Sequence, residues 1–229
     1  MYRFFEAREF KGNTNLKEET IHHLKNVIRI EDGEVFQVVF RDGIFSFAFY
    51  DDKLKKIGEI EESNESRVRL SLFFGVLKNN KSEDVLRHAT EIGVSDFYPV
   101  LMDRTISDIS KKKDKKKERY QKIVESAAKQ SKRDIIPIVH DIIKTDDILK
   151  FKGDLVLCYE DEDKTQLGEI IHELSYNIGL VIGPEGGISD RELEILGDAK
   201  KVGLGRRILR AETAAITASF YIIHGKECE

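Results

Sequence analysis

Residues 179–214 read GLVIGPEGGISDRELEILGDAKKVGLGRRILRAETA, and they contain two turns rich in glycine. The apolar run 180–182 is typical of a buried strand, and the glycine-rich run 183–187, GPEGG, ends it. Three glycines and a proline allow unusual backbone dihedral angles and leave the peptide groups uncovered. Ser189 and Glu192 then match the pattern of a capping box, which predicts that a helix begins there.

A second turn follows at 203–205, GLG, and a second helix is predicted to start near Ala211. The backbone of such turns can approach a flat ligand closely. Neither turn carries the dinucleotide fingerprint or the phosphate loop that ends in Gly-Lys-Ser/Thr. From these residues alone, a ligand pocket built from backbone and two ordinary strand-to-helix turns both stay open.

Both turns match the motifs of a known family. Residues 182–189, with Glu192, resemble a signature of the knotted SPOUT methyltransferases, and residues 204–214 resemble the motif that follows it in the RsmE branch. The resemblance implies an enzyme that uses S-adenosylmethionine to methylate N3 of a uridine in small-subunit (16S) ribosomal RNA. Family members are usually homodimers.

From residue 67 onward, predicted strands and helices alternate, which indicates an α/β fold with a parallel sheet covered on both faces. Ligands of such sheets bind at the carboxyl ends of the strands, where the turns after Cys158, Ile182 and Leu204 meet if these strands are neighbours. Periodicity cannot reveal a knot. The resemblance implies that residues 67–229 form a SPOUT methyltransferase domain with a deep trefoil knot.

Residues 1–66 differ from the rest, because their apolar stretches are short and Asp42-Gly43 predicts a hairpin. This composition indicates a small β-barrel or sandwich. The polar run 59–66 marks a domain boundary. The resemblance implies that residues 1–66 are a PUA-like β-barrel that binds RNA.

The composition of the chain argues against a membrane protein, a secreted protein and a metal-binding protein. The chain has 229 residues, of which 40% are hydrophobic and 35% charged, and its net charge is −4. No apolar run approaches the ~20 residues of a membrane helix, and the first residues do not form a secretory signal. Cys158 and Cys228 form no metal or redox motif. We therefore expect a cytoplasmic protein without a metal.

Basic residues concentrate between Arg104 and Arg133, where twelve basic and four acidic residues give a net charge of +8. Lysines at 111–117 favour salt-dependent attraction to phosphate, although charge runs are usually solvated faces. The resemblance adds candidates for ordered RNA contacts, with surface charge, capping or packing as the alternative roles. These candidates are Arg3, His23, Arg29, Arg104, Gln130 and Arg133.

The resemblance also implies which residues form the cofactor pocket. Backbone and apolar walls would hold the adenine, and Glu160 and Glu185 would either face the positive sulfonium or serve the structure. The expected cofactor-binding residues are Tyr159, Glu160, Ile182, Gly183, Pro184, Glu185, Gly187, Leu204, Gly205, Ile208, Leu209 and Thr213.

Methylation of uridine N3 requires that its proton leave and that the resulting negative charge be stabilised. Arg210 lies inside the cofactor motif, and we expect it to stabilise this charge. It cannot be the base, because arginine stays protonated. Glu212 is either the base or, as a carboxylate at a helix start, a cap. The target base must also be unstacked.

Three other functions stay open at this stage. Another SPOUT chemistry, such as ribose 2′-O methylation, would use the same pocket. A non-catalytic RNA-binding assembly factor would keep the basic segment and need no pocket. A phosphate-binding hydrolase fits least, because the chain lacks a phosphate loop with its lysine.

Overall fold

A computed structural model of the chain describes residues 2–10, 12, 16–106 and 113–229. The chain divides into two compact units. The first consists of Met1–Glu65 with Lys129–Ile135, and the second of Ser66–Ala128 with Ile136–Glu229. The segment 129–135 thus belongs to the first unit, although it lies far along the chain. That these parts act as an RNA-binding and a methyltransferase domain stays a prediction.

The first unit contains a four-stranded sheet in the order β1-β2-β3-β4. Strands β1 and β2 are parallel, and the other pairs are antiparallel. The helix α1 (Glu18–His22) continues into a π-helical segment at His23–Ile28. The strands are β1 (Arg3–Phe5), β2 (Phe36–Phe40), β3 (Gly43–Tyr50) and β4 (Lys53–Ile60).

The predicted hairpin is confirmed, because Phe40 pairs with Gly43 across a two-residue loop. The register of β3 against β4 shifts between Ser46 and Phe47, because Ile57 of β4 is left without a partner at a β-bulge. Aromatic side chains dominate the core of this unit. They are Phe4, Phe10, Phe36, Phe40, Phe45, Phe47 and Phe49.

Hydrogen bonds attach the segment 129–135 to the rest of the first unit. The carboxylate of Glu65 accepts from Nε of Arg133 at 3.0 Å, from Nη2 of Arg133 at 2.5 Å and from the backbone N–H of Asp134 at 2.8 Å. Arg3 donates to the carbonyl of Lys132 at 2.6 Å and pairs with Asp134. Both arginines are buried.

The second unit contains a seven-stranded sheet in the order β11-β9-β10-β5-β6-β7, with β8 beside β6. Every pair in it is parallel, as predicted. The strands are β5 (Arg69–Gly75), β6 (Asp96–Leu101), β7 (Ile138–Val139), β8 (Ile143–Lys144), β9 (Asp154–Cys158), β10 (Asn177–Ile182) and β11 (Lys200–Val202).

Five α-helices accompany this sheet in the part of the chain that is described: α2 (Lys81–Ile92), α3 (Lys113–Gln130), α4 (Leu167–Ile170), α5 (Asp190–Ile195) and α6 (Ala211–Glu227). Short 3-10 helices lie at Thr145–Lys150 and Ile171–Glu173. No helix among the described residues is long and apolar enough to cross a membrane.

Successive residues of the central strands serve two separate cores. Leu180 and Ile182 of β10 pack in the core that contains α2 and α6, while Val181 between them packs in the core on the other face. This follows from the two-residue period of a strand. Burial on both faces explains why β10 is an uninterrupted apolar run.

Helix α6 packs along α2 and over the sheet. The buried side chains of its contact face begin with Ala214, Ala215 and Ala218, and they continue with Ile222 and Ile223. Because the side chains of these three alanines are small, the backbones of α6 and α2 can approach each other closely. The start of α6 is therefore fixed relative to the start of α2.

We expect Glu65→Ala to release the segment 129–135, because one carboxylate holds the guanidinium of Arg133 and two backbone N–H groups. Loss of a buried partner of a charged group costs about 3 kcal/mol. Hydrogen exchange should therefore become faster at the amides of Asp134 and Ile135. Glu62→Ala, at an exposed carboxylate, is the control, and equal exchange in the two variants would contradict this role of Glu65.

Candidate active site

The ends of three neighbouring strands lie level with one another. Strand β9 runs between β10 and β11, and Cys158 at its end pairs with Ile182 on one side and Val202 on the other. The turns that follow these strands therefore start from one row. The sequence predicted that these turns meet if the strands are neighbours, and the strand order confirms that they are.

A cavity of about 440 Å³ lies at this edge of the sheet. The turns after the three strands, the start of α6 and Lys81 of α2 line it. Eleven of the twelve predicted cofactor residues are on its wall, and Thr213 is not. The eleven are Tyr159, Glu160, Ile182, Gly183, Pro184, Glu185, Gly187, Leu204, Gly205, Ile208 and Leu209.

Glycine is required at two places around the first turn. Gly187 has a φ of +75°, and a Cβ there would lie 2.6 Å from Oε1 of Glu160. At the end of β5, a Cβ on Gly75 would lie 2.5 Å from the backbone nitrogen of Pro184. A side chain at Gly75 would therefore displace the backbone of the turn, and the positive φ of Gly187 disfavours any other residue there.

The carboxylate of Glu192 connects the first turn to two neighbouring loops. It is completely buried. One oxygen accepts from the backbone N–H of Asp103 at 3.0 Å and from the hydroxyl of Thr145 at 2.8 Å. The other accepts from the backbone N–H of Ser189 at 3.0 Å, so the predicted capping box is confirmed. The same side chain thus caps α5 and fixes the loops after β6 and β8.

The loop after β6 contacts the glycine turn through two further side chains. The hydroxyl of Ser189 donates to the carboxylate of Asp103 at 2.6 Å, and this hydrogen bond lowers the pKa of Asp103, with help from the charge of Arg191. Arg104 donates to the carbonyl of Gly186 at 3.3 Å. Arg104, a predicted RNA contact, is exposed and borders the turn.

The second turn is held from the side by the loop before α4. The backbone N–H of Gly203 donates to the carbonyl of Thr165 at 2.8 Å, and the N–H of Gly205 donates to the side chain of Gln166 at 2.9 Å. These bonds hold the turn by its backbone. Ile208, which follows this turn on the cavity wall, is an apolar residue that is 86% exposed.

Known proteins resemble this chain over most of its length. Residues 64–223 match the model of the RNA methyltransferase domain family. Ribosomal RNA small subunit methyltransferase E of Bacillus subtilis is 33% identical over 87% of this chain and 85% of its own length. The chain belongs to the ribosomal RNA small subunit methyltransferase E family. Its relative in Mesomycoplasma hyopneumoniae is 30% identical over 94% of this chain and 96% of its own length.

Two solved structures with a bound ligand have the same fold. Ribosomal RNA small subunit methyltransferase E from Neisseria gonorrhoeae, bound to S-adenosyl methionine, superposes with a TM-score of 0.81 at 26% identity, over 97% of this chain and 96% of that one. A putative methyltransferase from Legionella pneumophila, in complex with the cofactor SAM, gives a TM-score of 0.83 at 26% identity, over 98% and 97%.

Charged side chains surround the cavity of this family member. Glu185 and Glu160 lie on the wall with Arg210, the predicted catalytic residue. A hydrogen bond to Asp161 raises the pKa of Tyr159. No group of His, Cys, Asp or Glu within the described ranges could hold a metal ion.

Sequence reasoning missed several residues of the cavity wall. They are Lys81, Cys158, Arg206, Arg207, Ala211 and Ala214. Arg206 and Arg207 lie inside the second motif, so their position in the sequence was sufficient to predict that they line the cavity. Lys81 does not belong to either motif. It reaches the cavity only because α6 packs on α2.

Of the six predicted RNA contacts, Arg104 belongs to the second unit, as the cavity does, and the other five belong to the first unit. Arg29 and Gln130 are exposed, and so is His23, whose ring meets the edge of Phe4 at a centroid distance of 5.9 Å. Contact with RNA by all six candidates stays a prediction, although the partners of Arg3 and Arg133 give those two a structural role. Within the lysine run, 111 and 112 lie outside the described residues.

Burial raises the pKa of the Cys158 thiol to about 12, whereas Cys228 is exposed. A thiol reagent attacks the thiolate, so we expect one equivalent to react at pH 8 in the folded protein and a second only after unfolding. The unfolded thiol ionises near pH 9, so the stabilisation by its burial is complete below that pH and is lost as the pH rises towards 12.

Mass spectrometry of the labelled peptides would locate the modified cysteine. Cys228→Ser is the control, since this variant should not react until it unfolds. Rapid labelling of Cys158 in the folded variant would contradict its burial.

Proposed function

We propose that this chain is an S-adenosylmethionine-dependent methyltransferase that methylates N3 of a uridine in small-subunit ribosomal RNA. The observation that carries the proposal is the cavity at the three level strand ends, which is lined by eleven of the twelve cofactor residues expected from the family resemblance. Membership of the family supports the RNA substrate.

The cavity fits the cofactor in size and chemistry. Its volume of about 440 Å³ lies within the usual range for small-molecule sites. Ile182, Leu204 and Leu209 offer apolar walls to an adenine, and the two turns expose peptide groups. Glu160 and Glu185 offer negative charge to a sulfonium. The solved structures from Neisseria gonorrhoeae and Legionella pneumophila contain this cofactor.

The cofactor, when bound, supplies a methyl group on a positive sulfur, which recovers the bonding electron pair as uridine N3 takes the methyl. Because N3 carries a proton at neutral pH, the protein must stabilise the charge left on the ring when that proton leaves to solvent. Arg210 lines the cavity and immediately precedes the 17-residue helix α6. Its guanidinium and the positive end of the helix dipole therefore both favour a developing anion.

The finer features of the family fold belong to the same proposal. We assign a PUA-like barrel that binds RNA to the first unit, on the support of its four-stranded sheet and aromatic core. We assign a deep trefoil knot to the SPOUT domain. Its support is the segment after β11, which bonds to Thr165 and then enters α6, packed on α2 and β5.

A homodimer in the cytoplasm, where ribosomal subunits are found, completes the proposal. We assign part of the subunit interface to Phe220 and Tyr221, which are large exposed side chains on α6.

Nucleoside analysis of methylated small ribosomal subunits tests the proposed function. We expect the wild-type protein to produce 3-methyluridine. A ribose-methylated nucleoside would favour the other SPOUT chemistry, and no methylation with retained RNA binding would favour an assembly factor.

We expect Arg210→Ala to lower kcat by about 10²–10³-fold, because it removes one donor that stabilises the anion. Binding of S-adenosylmethionine, measured by calorimetry, should not change. Arg87→Ala, at an exposed arginine on α2, is the control. Parallel loss of cofactor binding and turnover would show that Arg210 serves the cofactor instead.

A further inference from the structure

Among the residues that the structure describes, Lys81 is the one lysine on the wall of the cavity. It is the first residue of α2, and its side chain is 30% exposed. Its ammonium nitrogen lies 3.5 Å from Oε1 of Glu185 and 3.2 Å from Oε1 of Glu212. Two carboxylates from different parts of the chain therefore hold this cation at the site.

The ammonium group has hydrogen-bonding capacity to spare. Lysine carries three N–H donors, and the two carboxylate oxygens beside it accept at most two of them. Glu185 is itself positioned by the backbone N–H of Lys78 at 3.1 Å. One donor of Lys81 thus remains for a molecule in the cavity.

Glu212 depends on Lys81. Its second oxygen, Oε2, is buried and has no hydrogen-bond partner among the described residues. Helix α6 has Arg210 as its N-cap, and the side chain of Arg210 makes no capping hydrogen bond. The contact of Glu212 with Lys81 at 3.2 Å offsets the cost of burying the charge of Glu212. The ion pair fixes the position of the ammonium before any substrate arrives.

We propose that Lys81 is a second catalytic cation, which donates a hydrogen bond to a uridine carbonyl oxygen next to N3. This inference rests on the proposed function. The negative charge left on deprotonated uridine spreads onto both ring carbonyl oxygens, so two donors can share it. Arg210 and Lys81 line the same cavity from α6 and α2. The proton of N3 leaves to solvent, and Lys81 stays protonated throughout.

The two carboxylates also reconcile Lys81 with a positively charged cofactor. Lys81, Glu185 and Glu212 together carry a net charge of −1, so the group does not repel a sulfonium. It still offers an N–H donor to an anion. A lysine without these partners would oppose cofactor binding, whereas this arrangement lets one cavity hold a cation and stabilise an anion.

Lys81→Met tests the inference on the full-length protein with small ribosomal subunits as substrate. We expect kcat to fall by about 10²-fold while the Kd of S-adenosylmethionine is unchanged. The rate of the variant should continue to rise with pH after the wild-type rate has levelled off. Without the cation, N3 of the uridine loses its proton only at a higher concentration of hydroxide. Lys81→Arg should recover part of the rate, and exposed Lys78→Met is the matched control.

The double variant Lys81→Met/Glu212→Gln separates catalysis from charge neutralisation. We expect it to remain as slow as Lys81→Met. Recovery of wild-type turnover would overturn the inference, since Lys81 would then only neutralise Glu212. Weaker cofactor binding with unchanged kcat would also overturn it. If the wild-type protein yields no methylated uridine, the proposed function itself fails, and the inference fails with it.

Discussion

The buried carboxylate of Glu192 is the interaction on which the site depends. It satisfies the backbone N–H groups of Ser189 and Asp103 and the hydroxyl of Thr145, which come from three different loops at one edge of the sheet. A buried carboxylate is costly unless such donors surround it, so the loops and the charge stabilise each other. The glycine turn therefore has one position, and the cavity beside it has a defined shape.

The cavity is formed largely by the backbone of its turns, and several positions beside it therefore have no room for a side chain. At Gly187 a Cβ would meet the carboxylate of Glu160, and at Gly75 it would meet Pro184. The tight packing leaves peptide groups at the surface of the cavity without side-chain cover. The strand ends at Cys158, Ile182 and Val202 supply a level floor, because parallel strands in register end in one row.

Much of this site could be predicted from the sequence, because its signals are local. The capping box of Ser189 and Glu192 and the start of α6 each depend on a few consecutive residues. Strand β4 was missed, since none of its residues, Lys53–Ile60, is buried and they lack an apolar pattern. The pairing of Arg133 with Glu65 and the approach of Lys81 to Glu212 join residues that are 68 and 131 positions apart. No local pattern encodes such contacts.

The central claim is that the cavity beside Gly187 binds S-adenosylmethionine. Calorimetric titration of the purified protein tests it most directly, with Gly187→Arg as the blocked variant. Gly33→Arg, at a glycine that also has a positive φ but is not on the cavity wall, is the matched control. We predict saturable binding of one cofactor per chain in the wild type and the control, and none in Gly187→Arg. Unchanged binding in Gly187→Arg would contradict the account, and so would a wild-type protein that does not bind the cofactor even with ribosomal subunits present.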